Sequence, residues 1–329
     1  MHVDLTIVVS VFDEERVLPL FIERARQLLD ELPLTVECIL VNDGSRDRSA
    51  AIAAEAASAD PRFRLVSFSR NFGHEAAMIA GIDHARGDAV VCMDADLQHP
   101  FAEIPRMWDA FAAGDDVVTM ARERGAQPSF VKRLLSKAFY RVLNAISPDG
   151  FDPDASDFFL VSRRVADVLR ADYRERVRFL RGLIQVIGFP KTSLRFAANP
   201  RASGESKYPL RKLLRLSAHA LFSFSNLPLR LGVGLGVAIG GLGLVIAAYS
   251  IVMKWLGSPP SGYTTIVVLL CLLFAVQFVI TGIIGEYVGL VFSEVKRRPL
   301  YVLEQAPRAA IRPLRAVDEG AAAEARDAR

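Results

Sequence analysis

CMDADLQHP, residues Cys92–Pro100, decides how the chain is read. It ends the apolar run Ala89-Val90-Val91-Cys92-Met93 with Asp94 and Asp96, one residue apart, followed by Gln98, His99 and Pro100. A short apolar run bounded by turn residues reads as a buried strand. A strand that ends in two carboxylates aims two hard oxygen ligands at one point above the sheet edge. Mg²⁺ or Mn²⁺ takes such ligands, typically one or two carboxylates completed by substrate phosphates. Gln98 offers another oxygen. Alone, Asp-x-Asp is a weak signal, because surface loops are full of aspartate. His99 reads more readily as a turn residue than as a ligand.

The stretches upstream follow the same plan. LTIVVSV (5–11), VECILVND (36–43) and FRLVSFS (63–69) are apolar runs, and DAVVCMD (88–94) is the fourth. Between them, Glu14–Leu32, Ser49–Ala59 and His74–Ala85 carry helical patterns. Strands alternating with helices imply a mostly parallel sheet covered on both faces. Ligands bind such sheets at the carboxyl ends of the strands. The polar clusters fall there: Asp13-Glu14, then Asn42-Asp43-Gly44-Ser45, then Asp94-Ala95-Asp96.

The net charge of +3 hides an asymmetry. Residues 1–121 hold 10 Lys/Arg against 21 Asp/Glu, a net of −11, and residues 122–230 hold 21 against 9, a net of +12. The acidic half suits metal and sugar chemistry, and the basic half suits phosphates or anionic lipid. Nucleic acid is the weaker partner for the basic half, because two membrane-length apolar runs follow it. The three cysteines show no metal spacing or paired framework and read as buried thiols in a reducing compartment. No basic leader opens the chain, so no cleavable signal is expected.

Residues 129–146 and 209–230 have amphipathic helical spacing with many Lys and Arg. They are either core helices with solvated basic faces or helices lying on a lipid surface. Leu231–Met253 is almost unbroken apolar sequence, about 35 Å long as a helix, and Ile266–Gly285 is a second span of about 30 Å. Gly236, Gly240 and Gly282 would let these spans pack closely. Glu286, costly in lipid, is expected to face the partner helix or the interface. Arg211, Lys212, Arg215 and Arg230 flank the first span, and Lys296, Arg297 and Arg298 flank the second. The short connection offers only Lys254, so both termini are expected in the cytoplasm of a cell whose inner membrane the chain crosses twice. The division read here is a catalytic domain over 1–208, an interface helix over 209–230, two spans over 231–291, and a basic segment with a tail lacking any core pattern over 292–329.

In order, Ser10-Val11-Phe12-Asp13-Glu14, Val41-Asn42-Asp43-Gly44-Ser45, Arg70-Asn71-Phe72-Gly73 and Asp94–Pro100 resemble the inverting GT-A-fold glycosyltransferases of family 2. With RFLRGLIQVIGF, GESKY and GEYVGLVFSEVKRRPLY added, the chain is similar to the polyprenyl-phosphate glycosyltransferases, kin of dolichyl-phosphate mannose synthase. The resemblance implies a GT-A, Rossmann-like sheet and transfer of a sugar from a nucleotide-sugar donor to a polyprenyl phosphate. UDP-glucose and undecaprenyl phosphate are favoured. GDP-mannose, an N-acetylhexosamine donor or a modified pentose stay open, and self-association is admitted. It implies that Ser10, Phe12, Glu14, Val41 and Asp43 hold the nucleoside and that Ala95 touches the nucleotide. Asp94, Asp96 and Gln98 would hold Mg²⁺ or Mn²⁺. Arg122, Lys132, Ser136, Arg201 and Lys207 would bind phosphates, with Asp96, Arg122 and Lys207 also acting in the transfer and Asp157 near the acceptor.

Four positions depart from the pattern: Ser10 where proline is usual, Asp13 for asparagine, His74 for a frequent lysine and Phe159 for arginine. A processive polysaccharide synthase would share the first domain, but no Gln-x-x-Arg-Trp stretch is present. A non-catalytic membrane scaffold would have no use for Asp43, Asp94 and Asp96 together with a basic cluster. Arg174, Arg176, Arg178 and Arg181 read as a solvated face, with Arg181 the one candidate for phosphate.

Overall fold

A computed structural model describes residues 2–123, 152, 154–175, 180–197, 199, 227–256 and 262–304. Lys132, Ser136, Arg176, Arg178, Arg201 and Lys207 lie outside these residues, as do the basic segments 129–146 and 209–226 and the tail from 305.

Seven strands form one mixed sheet: β1 (Leu5–Val11), β2 (Val36–Asn42), β3 (Phe63–Ser67), β4 (Ala89–Asp94), β5 (Val117–Arg122), β6 (Ala155–Ser162) and β7 (Lys191–Phe196). Their spatial order is β3-β2-β1-β4-β6-β5-β7. Only β6 runs against its neighbours. The sheet is the GT-A, Rossmann-like arrangement that the resemblance implies. Parallel register sets Ser10 beside Asp94 on one side and beside Val41 on the other. The polar residues that follow β1, β2 and β4 therefore emerge at one edge.

Helices cover both faces: α1 (Leu18–Glu31), α2 (Ser49–Ala59), α3 (His74–His84), α4 (Ile104–Ala112), α5 (Arg163–Ala171) and α6 (Leu180–Val186). In α1, Leu18, Phe21, Ile22, Ala25, Leu28 and Leu29 point inward at helical spacing. Burying Phe21 alone is worth about 2–3 kcal/mol. This helix begins four residues later than the sequence pattern suggests. Residues 14–17 form a turn closed by Val17 N–H to the Glu14 carbonyl, and Pro19 starts the helix proper. On the other face α3 crosses β1 so closely that a Cβ on Gly81 would lie 2.0 Å from Val8 Cγ1.

Two long helices follow, α7 (Leu227–Trp255) and α8 (Tyr263–Val295). Each contains a stretch long and apolar enough to cross a membrane, Gly232–Met253 and Leu273–Val295. The first matches expectation, and the second extends ten residues beyond the expected end at 285. A Cβ on Gly232 or Gly236 would rest 3.8–4.0 Å from Ile280, so these glycines face the opposite helix. Gly240 and Gly282, also expected in that contact, meet nothing within 4 Å among the described residues. Glu286 is exposed rather than turned to α7.

After α8 the chain returns to the sheet. Ser69 N–H donates to the Val302 carbonyl at 2.9 Å, and Glu304 N–H donates to the Ser67 carbonyl at 2.8 Å. Tyr301 stacks on Phe68 with ring centroids 5.0 Å apart, and its hydroxyl donates to Asp83 Oδ2 at 2.8 Å. Arg174 grips the same Asp83 at 2.8 and 3.0 Å, so it is a structural clamp rather than a solvated charge. The sheet edge at β3 is thus covered by residues from beyond both apolar helices, which a catalytic unit ending at 208 does not include.

Candidate active site

Strand ends and the loops after them supply the site. The first loop turns at Asp13, whose φ is 54°. Asparagine and aspartate tolerate this left-handed backbone best after glycine, which accounts for Asp13 where asparagine is usual. Its N–H donates to Ser45 Oγ at 3.2 Å, and its Oδ1 accepts from Arg46 N–H at 2.8 Å. The Glu14 N–H donates to Ser49 Oγ at 2.8 Å. These bonds tie the loop after β1 to the loop after β2. Phe12 stands 40% exposed beside them, an open aromatic face at the sheet edge. Val41 and Ala95 are buried and set the floor.

Asp43 is buried with both oxygens occupied. Phe72 N–H donates to Oδ1 at 2.6 Å and Gly73 N–H to Oδ2 at 2.9 Å. Burial pushes its carboxyl above the usual range, against the lowering effect of these bonds. Expected as a nucleoside contact, Asp43 here anchors the Arg70–Gly73 loop and the start of α3. Gly44, at φ 65°, packs against that loop so tightly that a Cβ would sit 2.4 Å from the Arg70 carbonyl carbon.

The Asp94–His99 loop carries a second left-handed residue, Leu97, at φ 62°. Asp96 Oδ1 accepts from Gln98 N–H at 3.0 Å. Asn199, just past β7, donates its N–H to the Gln98 carbonyl at 3.1 Å and its side chain to the Leu97 carbonyl at 3.3 Å. His99 is fully buried and stacked on Phe158 at 4.9 Å. Its Nδ1 accepts from the Asp94 N–H at 3.1 Å, so the neutral ring carries its proton on Nε2. That atom has no hydrogen-bond partner among the described residues and lies 3.9 Å from Asp94 Oδ2. Burial first, and then the charges of Arg122 and His74, push the ring down to about 3. His99 is a neutral brace for the loop, which makes it more than a turn residue.

Asp94 receives no hydrogen bond on its carboxylate among the described residues. His74 Nε2 stands 3.5 Å from its Oδ1. Burial pushes Asp94 up to about 6. The nearby His74 and Arg122 oppose that shift, while Asp157 and Asp96 add to it. The cluster therefore holds surplus negative charge and only hard oxygens, which fits Mg²⁺ or Mn²⁺. It is not a closed cage. Among the described residues, three His, Cys, Asp or Glu side chains converge within 4.8 Å only at exposed His2 and half-buried Asp4 and Asp88, at the opposite edge of the sheet. The Asp94–Asp96 site would leave coordination positions for a substrate's phosphates.

The far side of the site is built from β5, β6 and α6. Arg122 ends β5, its N–H bonded to the Asp154 carbonyl at 2.9 Å. Asp157 on β6 has Oδ2 3.8 Å from His74 Nε2. Arg181 donates to the Ala155 carbonyl at 3.3 Å. Phe159 is buried in the core between β4 and β5, so the usual arginine of this position has no counterpart at the site. Glu75 accepts from Leu180 N–H at 3.0 Å, joining α3 to α6, and burial pushes it up to about 7. Neither Glu75 nor Asn199 was among the residues expected from sequence. Both act across more than 100 positions, and no local motif marks them.

The strand ends thus gather the carboxylates Asp94, Asp96 and Asp157 with Arg122 and His74 at one edge of the sheet. The chain belongs to glycosyltransferase family 2, whose sequence profile, Glycosyl transferase family 2, matches residues 6–170. An uncharacterized glycosyltransferase of Bacillus subtilis, YkcC, is 36% identical over 305 residues, which is 92% of this chain and 94% of that protein. The bactoprenol glucosyl transferase of Shigella phage SfII is 34% identical over 305 residues, 92% of this chain and 98% of that one. The solved mannosyl-3-phosphoglycerate synthase of Rubrobacter xylanophilus superposes with a TM-score of 0.45 at 17% identity, covering 67% of this chain and 72% of that one.

Proposed function

We propose that the protein moves a sugar from a nucleotide diphosphate to the phosphate of a polyprenyl lipid, with inversion, at the cytoplasmic face of a bacterial inner membrane. One observation carries this reading. Relatives named bactoprenol glucosyl transferase match it over nearly their whole length, α7 and α8 included. The same names favour glucose as the sugar; UDP-glucose would be the donor and undecaprenyl phosphate the acceptor.

In this reading Phe12 stacks on the nucleobase, with Glu14, Val41 and Ala95 around the nucleoside. Asp43 acts by holding the Arg70–Gly73 loop, and Ser10 acts through His74. Asp94, Asp96 and Gln98 hold Mg²⁺ or Mn²⁺. When bound, the ion neutralises charge on the departing diphosphate. Arg122, and by resemblance Lys132, Ser136, Arg201 and Lys207, would bind the donor and acceptor phosphates. As the bond from the anomeric carbon to the diphosphate oxygen breaks, that carbon gains oxocarbenium character. An oxygen of the lipid phosphate forms the new bond from the opposite face. A phosphate monoester has a second pKa of ~6, so at pH 7 this oxygen is already mostly anionic. Little proton remains for a base to remove, and bringing two anions together is the harder task. Asp157 therefore orients its neighbours rather than accepting a proton.

α7 and α8 are the two spans of a multi-pass chain, with 1–208 and 292–329 in the cytoplasm and 209–230 on the lipid surface. The return of 301–304 to β3 supports this topology, because it puts the C-terminal end of α8 on the side of the sheet. The test is purified full-length protein in detergent with undecaprenyl phosphate and a donor panel of UDP-glucose, GDP-mannose, UDP-N-acetylhexosamine and a UDP-pentose. UDP-glucose should give lipid-linked sugar fastest. No lipid-linked sugar from any donor would overturn the proposal.

A further inference from the structure

Two of the four departures from the family pattern touch each other. Ser10 Oγ and His74 Nδ1 are 2.8 Å apart although 64 positions separate them in the chain. Ser10 sits on β1 in register with Asp94 on β4. His74 opens α3, with Gly73 N–H held by Asp43 and Glu75 holding the Leu180 N–H. The backbone on both sides of the ring is thus pinned. The hydroxyl fixes the ring's rotation, so that Nε2 faces Asp94 Oδ1 at 3.5 Å and Asp157 Oδ2 at 3.8 Å. Both facing atoms are acceptors, so Nε2 must carry a proton to meet them.

We infer that Ser10 and His74 form one positioning unit, which sets an N–H donor between the donor-side carboxylate Asp94 and the acceptor-side carboxylate Asp157. A lysine at 74 needs no such partner. Its ammonium carries three donors on a flexible stem and can meet both carboxylates without a hydroxyl to orient it. His74 in turn is the bridge between the two halves of the site. The inference rests on the transfer reading above for its kinetic consequence and on the Ser10–His74 contact for its structural one.

The kinetic test is a double-mutant cycle on the full-length protein in detergent, using UDP-glucose and undecaprenyl phosphate. His74→Leu should lower kcat ~30-fold with the donor KM changed less than about threefold, as for a residue that orients a ligand-bearing side chain. His74→Lys should recover kcat to within about threefold of wild type. Ser10→Ala should cost ~10-fold with His74 present and at least fivefold less with Lys at 74, since only the histidine depends on the hydroxyl. Equal costs in the two backgrounds would show that the residues act separately and would overturn the unit.

The second arm needs no turnover. In metal-free protein with ¹⁵N-labelled histidine at pH 7.5, the His74 Nε2 should be the protonated nitrogen, and Ser10→Ala should alter its ring signals. A ring protonated on Nδ1 alone would contradict the inference. Should no donor be turned over, the transfer reading fails by itself, and the nitrogen signals still decide the unit.

Discussion

Two carboxylates, Glu37 buried and Asp94 half-buried, lie near opposite ends of the parallel strands, and they are held very differently. Near the amino ends, Glu37 accepts from Thr6 Oγ1 at 2.8 Å, from Arg86 N–H at 2.8 Å and from Arg64 Nη1 at 3.0 Å. At the carboxyl ends, Asp94 receives no hydrogen bond on its carboxylate among the described residues and has Asp96 and Asp157 as acidic neighbours. A satisfied buried charge is architecture. A buried charge left short of partners costs stability, and it persists where a ligand completes it. The contrast separates the two acidic sites more sharply than burial or composition does.

The strongest way to break the comparison is to neutralise each end in turn. Asp94→Asn or Asp96→Ala should lower transfer about 10³-fold or more while the protein stays folded, because each removes a hard ligand where few exist. Excess chelator should do the same to wild type. Undiminished transfer in the variants or in chelator would remove the metal assignment. Glu37→Ala should do the reverse. It strands the Thr6 hydroxyl, the Arg86 N–H and the Arg64 charge, at a cost of about 3 kcal/mol. That lowers the melting temperature by roughly 5–10 °C, with kcat per folded molecule within about twofold. A Glu37→Ala protein as stable as wild type would undo the contrast.

Glu75 sharpens the point through pH. Its folded value is about 7 against an unfolded value near 4.5. A raised carboxyl favours the protonated folded state, so its contribution is full below about pH 4.5 and is lost as pH rises through 7. Glu75→Gln should therefore raise the melting temperature at pH 8, by roughly 1–2 kcal/mol of stability, and the gain should shrink toward pH 5. A gain that does not vary with pH would contradict the assignment. The smallest effect is expected at the returning segment. Tyr301→Phe removes only the bond to Asp83 and should cost about 1 kcal/mol, read as a melting shift of a few degrees with kcat retained.

The carboxylates at the strand ends were legible in the sequence and the long-range contacts that join them to the rest of the edge were not, for a physical reason. Asp94 ends a strand, and Asp13, Asp43 and Asp96 follow one within two residues, so strand pattern and loop chemistry place them together. The bridge from His74 to Asp157, the Glu75–Leu180 bond and the hold of Asn199 on Leu97 and Gln98 join residues 83 to 105 positions apart. Only the fold brings them into contact. Asp43 shows the limit from the other direction. The motif marks it as a nucleoside contact, while its bonds to the Phe72 and Gly73 N–H groups show that it holds the Arg70–Gly73 loop. The return of Tyr301 to Phe68 was equally unreadable, since 233 positions and two long helices separate the two rings in the chain.

The measurement that tests the central claim most directly is the stereochemistry and metal dependence of the product. Full-length protein would be given UDP-glucose with its α-linkage and undecaprenyl phosphate, with Mn²⁺ or with excess chelator, and the lipid product examined by NMR. The account predicts a β-linked glucosyl phosphate lipid formed with the metal and lost in chelator. An α-linked product, or equal yield in chelator, would contradict it.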